Sequence, residues 1–401
     1  MIILPFLKFN THTFKMNKIY LDNAATTPLS EEVIDAMVDA MKMNFGNPSS
    51  THSFGQEAKI LIENVRRQVA DYLKVSPAEI IFTSCGTESN NMIIKSSVSH
   101  LGVERIISSP MEHKCVSESI LDMKSRKGVE VAYIRPNEKG DIDVNKLEEL
   151  LKSSDKKTLV SLMHANNEIG NLINLKEVAE LCKKYNALFH SDTVQTMAHM
   201  ELDFSDIPVD FASCSAHKFH GPKGVGFAFL RKSSGLKGII TGGPQERSLR
   251  AGTENVCGIV GLGKALELSV NHMSEYRNQM ESVKQYAIDR ILAEIPGVKF
   301  NGRSAELENS LYTVVSVLLP YKNPLIGLQL DMKGIAVSQG SACSSGASKP
   351  SMVMMMVLSE DEMDNCTPLR VSFSHLTTKA EIDALVDALK EISHDFIIEK
   401  A

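Results

Sequence analysis

The sequence has no basic excess. Its formal net charge is −6, which excludes the electrostatic footprint of a nucleic-acid-binding protein. It has no C-x-x-C pair. The seven cysteines, at 85, 115, 182, 214, 257, 343 and 366, are odd in number and widely scattered. That argues against a disulfide framework and against an intrinsic zinc site, and it suits reduced thiols in a cytoplasmic compartment. No apolar run approaches the ~20 residues needed to cross a bilayer, so no membrane association is expected. The opening MIILPFLKF is apolar but is broken by Pro5, and no small-residue cleavage site follows it. Residues 1–17 therefore read as an N-terminal extension ahead of a globular pattern. Internal repeats and low-complexity linkers are also missing.

What remains is a soluble globular composition, 43% hydrophobic and 23% charged. At 401 residues there is room for one large domain and one smaller one. Short apolar runs at 80–82, 105–108, 129–134, 158–163, 187–190, 210–213 and 227–230 alternate with helical patterns. Several are apolar on both faces, which predicts an α/β domain over 77–252 whose mostly parallel, seven-stranded sheet is covered by helices. Residues 18–76 form an N-terminal segment in which Ser30 can cap a helix with apolar positions Val33, Ile34, Met37 and Met41. That helix is expected to join a smaller domain. Residues 253–296 read as connecting helices. Residues 297–401 read as the smaller α+β domain, with a last helix opened by the Thr378–Glu381 capping box. The Met352 to Met356 run is expected to pack in a core.

Ligands of open α/β sheets bind beyond the carboxyl ends of the strands, and four such ends carry unusual residues. The run 80–83 is followed by Ser84-Cys85-Gly86-Thr87, small residues entering a helix, which suits a phosphate. A second end leads into His164 to Gly170. The third ends in Asp192, an acid on a buried strand that needs a cation. The fourth leads into Ser215-Ala216-His217-Lys218. A lysine there is a candidate imine-forming amine once its charge is disfavoured. A lysine imine, a carboxylate for a ring nitrogen and a phosphate cradle are what pyridoxal 5'-phosphate (PLP) requires. Cys343 lies in GSACSSG, where glycine and serine make no packed core and suit an exposed loop that lets a thiolate react. The other six cysteines read as small buried hydrophobes.

The motifs YLDNAATTP, GNPSSTHSFG, TSCGTESNN, EHK, NNEIG, SAHKFHGPKG, RAGTEN and GSACSSG resemble those of the cysteine desulfurases of iron–sulfur cluster assembly and nitrogen fixation. These are aspartate-aminotransferase-like, fold type I PLP enzymes. The resemblance implies that Lys218 is the Schiff-base lysine and Asp192 the ring-nitrogen partner. It implies that Gln195 bonds the phenolic oxygen with Asn167 beside it, and that His113 stacks on the ring and moves protons. Gly86, Thr87, Ser215 and His217 would hold the phosphate, and Thr253 the phosphate of the other subunit of a homodimer. Arg370 would bind the carboxylate of L-cysteine through its bidentate fork. Cys343 would take the sulfur as a persulfide for an iron–sulfur scaffold or sulfur-carrier protein, and could be a transient cluster ligand shared with that scaffold. A selenocysteine lyase, another PLP lyase or an aminotransferase of the same fold are the alternatives. A PLP-binding docking platform for sulfur carriers is a further one.

Overall fold

The computed structural model describes residues 18–232, 234–339 and 351–398. The chain opens with β1 (Ile19–Tyr20), then α1 (Glu31–Met43) and α2 (Ser53–Leu73). Strands and helices then alternate: β2 (Ile80–Thr83), α3 (Gly86–Leu101), β3 (Arg105–Ser108), α4 (Lys114–Lys127), β4 (Glu130–Tyr133), α5 (Val144–Lys152), β5 (Thr158–Ser161), α6 (Leu175–Lys184) and β6 (Leu188–Asp192). Next come β7 (Phe211–Ser215) and β8 (Gly226–Leu230), followed by the long helices α7 (Val256–Asn271) and α8 (Met273–Glu294). The remainder holds β9 (Lys299–Phe300), β10 (Val314–Leu319), α9 (Ile326–Met332), β11 (Ile335–Ala336), α10 (Met352–Val357), α11 (Glu360–Asn365), β12 (Thr367–Ser372) and α12 (Lys379–Ile398).

Seven strands form the large sheet in the order β2-β8-β7-β6-β5-β3-β4. Only β8 runs against its neighbours; the other pairings are parallel. Alternate residues of each strand enter two different apolar clusters. Ile80, Phe82, Ile107, Val160 and Phe189 join one, whereas Ile81, Ile106, Leu159 and Phe211 join the other. This is why the runs read as apolar throughout, for both faces are covered by helices. β9, β10 and β12 make a separate antiparallel sheet that packs with α8 and α12 around Val315, Val317, Leu369 and Leu385.

The N-terminal segment differs from the expectation. It is β1, pairing with β11, that joins the smaller unit, whereas α1 packs against α7 of the connecting helices. The buried stripe of α1 is Val33 and Ala40 with Met37 half-buried beside them, while Ile34 and Met41 are exposed. Ile34 and Met41, seven apart, share a second face that the apolar count alone did not separate from the first. Ser30 stands at the cap position but makes no capping bond. Thr378 and Glu381 do form their reciprocal pair, with Glu381 accepting from Thr378 N at 2.8 Å and Glu381 N donating to Thr378 Oγ1 at 3.3 Å. Within α10, Val353 and Met354 are buried against Met111 and Ile169 with Met356 half-buried beside them, but Met352 and Met355 are exposed, so the methionine run packs on one face only and not throughout as expected.

One buried ion pair fixes the edge of the large sheet. Arg66 on α2 grips Glu246 with two bonds of 2.7 and 2.6 Å. Glu246 also accepts from the backbone N–H of Phe82 at 2.7 Å. Glu246, Arg247 and Ser248 have φ of 44°, 57° and 63°, three successive side chains in a region that costs each about 1–2 kcal/mol. The buried pair holds that turn closed. Arg66→Met should leave a buried carboxylate without its cation and cost about 3–5 kcal/mol, read as a lower urea midpoint. Adding Glu246→Gln to Arg66→Met should restore part of the loss, and an equal midpoint for Arg66→Met and wild type would contradict this account.

Candidate active site

Four strand ends of the large sheet open on one side. Asp192 closes β6 and is 6% exposed. Burying a carboxylate is costly unless its oxygens are satisfied. Its Oδ2 accepts from Asn90 Nδ2 at 2.7 Å and its Oδ1 from Val194 N at 3.0 Å. Among the described residues no lysine or arginine pairs with it. The cation that the sequence demanded does not come from the described residues.

Lys218 stands just beyond the end of the neighbouring strand β7. Its Nζ donates to the carbonyls of Ala24 and Ala25 at 2.6 and 2.9 Å. Burial lowers its pKa to about 8; Arg370 adds to the effect, and Asp192 and Asp22 oppose it. An amine with that pKa is a nucleophile near neutrality, which an ordinary lysine is not. A cleft of about 470 Å³ opens beside it, bounded by Gln195, His199, His220, Tyr276 and His375 among others.

The cradle lies where β2 enters α3. The N–H groups of Gly86 and Thr87 in the first turn of α3 have no acceptor among the described residues, and Cys85 caps the helix without a side-chain bond. A Cβ at Gly86 would stand 2.6 Å from Val194 Cγ2, so only glycine lets the turn close there. Ser215 Oγ, at the end of β7, is buried and unpartnered. Beside it His217 bonds Thr26 Oγ1 through Nδ1 at 3.1 Å. Burial, with Lys218 and Lys223, holds His217 neutral by pulling its pKa to about 4. Free helix N–H groups, an orphaned hydroxyl and a neutral imidazole are a donor set for a phosphate.

His113 forms the N-cap of α4 and accepts from Cys115 N at 3.2 Å. The residue is exposed, yet its surroundings desolvate the ring and lower its pKa; Asp192 opposes this, while Lys218 and Lys114 reinforce it. Gln195 is buried and donates to Ala24 O at 3.1 Å. Arg370 is held on two sides. Its Nη2 donates to Asp22 at 2.8 Å and its Nη1 to Asn167 O at 2.8 Å, which leaves Nε buried and unpartnered. The Asn167 side chain has no hydrogen bond among the described residues. Thr253 is exposed, and no hydrogen bond joins it to the other candidate residues. Its segment is tied to α3 through Arg250, which donates to Glu88 at 2.9 Å.

Cys343 lies outside the described residues. Both flanks of its segment are anchored beside the site. Ser338 and Arg370 exchange backbone hydrogen bonds of 3.1 and 2.8 Å, and Ser351 Oγ donates to Glu168 at 2.6 Å. Sequence reasoning missed Asn90, Asp22 and Cys115. Of the six cysteines expected to be buried, Cys182 and Cys214 are, whereas Cys85, Cys115, Cys257 and Cys366 are half-buried, and Cys115 has polar partners. It is half-buried in the wall of the site, with Sγ 2.9 Å from His113 Nδ1 and 3.2 Å from Asn90 Nδ2. Its place two residues after His113 at a helix start was the available signal.

The model of the family described as "Aminotransferase class-V" matches residues 19–385. The chain belongs to the aminotransferase class-V family. Among its curated relatives is a protein named cysteine desulfurase IscS from Dictyoglomus turgidum, 39% identical over 378 residues that cover 94% of each chain. A solved structure titled NifS-like protein superposes with a TM-score of 0.85 at 36% identity, covering 94% of this chain and 99% of that one. Another, titled SspA in complex with cysteine, gives a TM-score of 0.76 at 30% identity over 90% of this chain and 100% of that one. Among the described residues of this family member no helix is long and apolar enough to cross a membrane, and no group of three or more His, Cys, Asp or Glu could hold a metal ion.

The lowered pKa of Lys218 has a direct readout without any cofactor. Reductive trapping with a small aldehyde should label Lys218 first. The rate should rise with pH and level off near about pH 9, whereas an ordinary lysine gains free amine up to about pH 11. Mapping the adduct by mass spectrometry checks the residue; a profile with no plateau contradicts the assignment.

Proposed function

We propose that this protein is a PLP-dependent cysteine desulfurase that converts L-cysteine to L-alanine and holds the removed sulfur as a persulfide on Cys343. The observation that carries the reading is the Lys218 amine and the cationless, buried Asp192 carboxylate at adjacent strand ends, with the orphaned Ser215 hydroxyl facing the Gly86 turn. The identity to proteins named cysteine desulfurase supports the choice of substrate.

The residues fit PLP. Lys218 would hold it through its amine, and Asp192 would pair with its ring nitrogen. Gly86, Thr87, Ser215 and His217 would take its phosphate. Gln195, with Asn167 beside it, would meet its phenolic oxygen, and His113 would cover its face. When bound, PLP supplies an electron sink for the substrate carbon.

The chain's own groups do the rest. Lys218 Nζ, with a pKa of about 8, can take up and release a proton near neutrality. Arg370, held by Asp22 and the carbonyl of Asn167, keeps a further N–H on each Nη, and these would receive the substrate carboxylate. Cys343 attacks the substrate sulfur as a thiolate. The S–S bond forms as the carbon–sulfur bond breaks, and the carbon gains a proton to become the methyl of alanine. The sulfur would then pass to a scaffold or carrier protein.

A homodimer with composite sites belongs to this reading. Exposed Met41, Met43, Phe45 and Phe54 supply apolar surface for a second copy, and the rings of Phe45 and Phe54 lie 5.3 Å apart. Thr253, exposed and tied to the cradle helix only through Arg250, would serve the phosphate of the partner.

With L-cysteine, the PLP-loaded protein should release alanine, and mass spectrometry should find the added sulfur on Cys343. Cys343→Ala should keep the bound-cofactor spectrum and lose nearly all alanine production, while Cys366→Ala should be mild. Lys218→Ala should leave PLP untrappable by borohydride. Wild-type alanine release by Cys343→Ala would reject the persulfide route, and turnover of L-selenocysteine alone would assign a selenocysteine lyase.

A further inference from the structure

One hydrogen-bonded chain runs from the middle of the large sheet to two walls of the site, and its fixed donors assign the ring protons of both histidines. Asp192, as a carboxylate, only accepts, so the Asn90 atom 2.7 Å from its Oδ2 is the amide nitrogen. Asn90 Oδ1 then faces His190 Nε2 at 3.0 Å, and that nitrogen must carry a proton. His190 is fully buried and held neutral by desolvation at a pKa of about 4, with Asp192 opposing. Its Nδ1 is therefore an acceptor, and it takes the Ser161 hydroxyl proton at 2.9 Å. The second amide proton of Asn90 points at Cys115 Sγ, 3.2 Å away. Burial, then Asp192, pushes the Cys115 thiol up to about 12, so it keeps its proton. That thiol lies 2.9 Å from His113 Nδ1, which also accepts the backbone N–H of Cys115 at 3.2 Å. A backbone N–H can only donate. His113 Nδ1 is thus a lone pair with two donors aimed at it, and the proton of the neutral ring sits on Nε2.

We propose that Asn90 and Cys115 are positioning residues: the Asn90 amide aims the Asp192 carboxylate and, through the Cys115 thiol, holds the His113 ring with its proton on Nε2, the nitrogen on the far edge from the helix. One side chain anchored in the sheet core thereby sets two groups that the proposed cofactor would meet, one at its ring nitrogen and one on its face. In the resting site His113 thus presents an Nε2–H hydrogen-bond donor at that edge, and its basic lone pair is the one at Nδ1. The significance of the arrangement rests on the proposed function; the arrangement itself does not.

The titratable groups facing His113 are Asp192 at the end of β6, Lys218 beyond β7, and Lys114 and Cys115 on its own helix. The test uses the full-length protein without cofactor, labelled with ¹⁵N-histidine, and reads the tautomer and titration midpoint of His113 by NMR. Wild type should show the Nε2–H tautomer. Cys115→Ala removes a donor to the neutral ring and should raise the protonation constant of His113 roughly threefold or more, the scale of one weak hydrogen bond. Cys115→Ser keeps the donor and should stay at the wild-type midpoint. His199 should not move in either, which a general loosening would not spare. With PLP added, Asn90→Leu should shift the pH at which the visible band changes. The proposal is overturned by an Nδ1–H tautomer in wild type, or by coincident His113 midpoints in wild type, Cys115→Ala and Cys115→Ser. If Asn90→Leu does not fold, the cysteine pair decides. Failure of PLP to give any visible band would count against the proposed function and would leave the histidine result standing.

Discussion

A carboxylate at the end of a central strand has lost its water and must be compensated. Asp192 is in that position, and the chain meets the cost with two N–H donors and no cation. Asn90 is therefore fixed by the charge it serves, and His190 and Ser161 are fixed by Asn90. The same constraint appears with opposite sign one strand away. Lys218 is an amine stripped of solvent near Arg370, and its charge is disfavoured until its pKa reaches about 8. Two groups with opposite unmet needs stand on neighbouring strand ends. A ligand with a protonated ring nitrogen and a carbonyl satisfies both, which is why the sheet order β7 beside β6 matters more to the site than any single contact.

Much of this was legible without coordinates because its signals are local. An acid that ends an apolar run, a lysine beyond the next run, and glycine after small polar residues each announce themselves within ten positions. The strand runs were legible for the same reason, since a doubly covered sheet leaves no polar face to obscure them. What stayed hidden depends on register between distant segments. Asn90 is an ordinary helix residue until β6 is placed beside it. Cys115 is an ordinary small residue until α4 starts at His113. Arg66 looked like one more charge on an amphipathic helix, yet its partner is 180 residues away. The bond from Arg370 to Asp22 could not be read, because the two lie 348 residues apart.

Arg370 is held on two sides, by Asp22 and by the carbonyl of Asn167, each at 2.8 Å. The flanks of the Cys343 segment are tied to the backbone of Arg370 and to Glu168. The fixed guanidinium and the anchored ends of that segment thus share one frame.

The turn following β1 has a consequence for how the protein comes into being. Ala24 and Ala25 carry the carbonyls that receive Lys218, Ala24 also receives Gln195, and Asp22 receives Arg370. Residues 22–25 thus close a site whose wall at Arg370 is made 348 residues after Asp22. Among the described residues β1 has no strand partner until β11 emerges. The large sheet can form while synthesis continues, but these contacts cannot be made until Arg370 is free of the exit tunnel. Such long-separation contacts slow folding, and they set the closing of this pocket apart in time from the forming of the sheet.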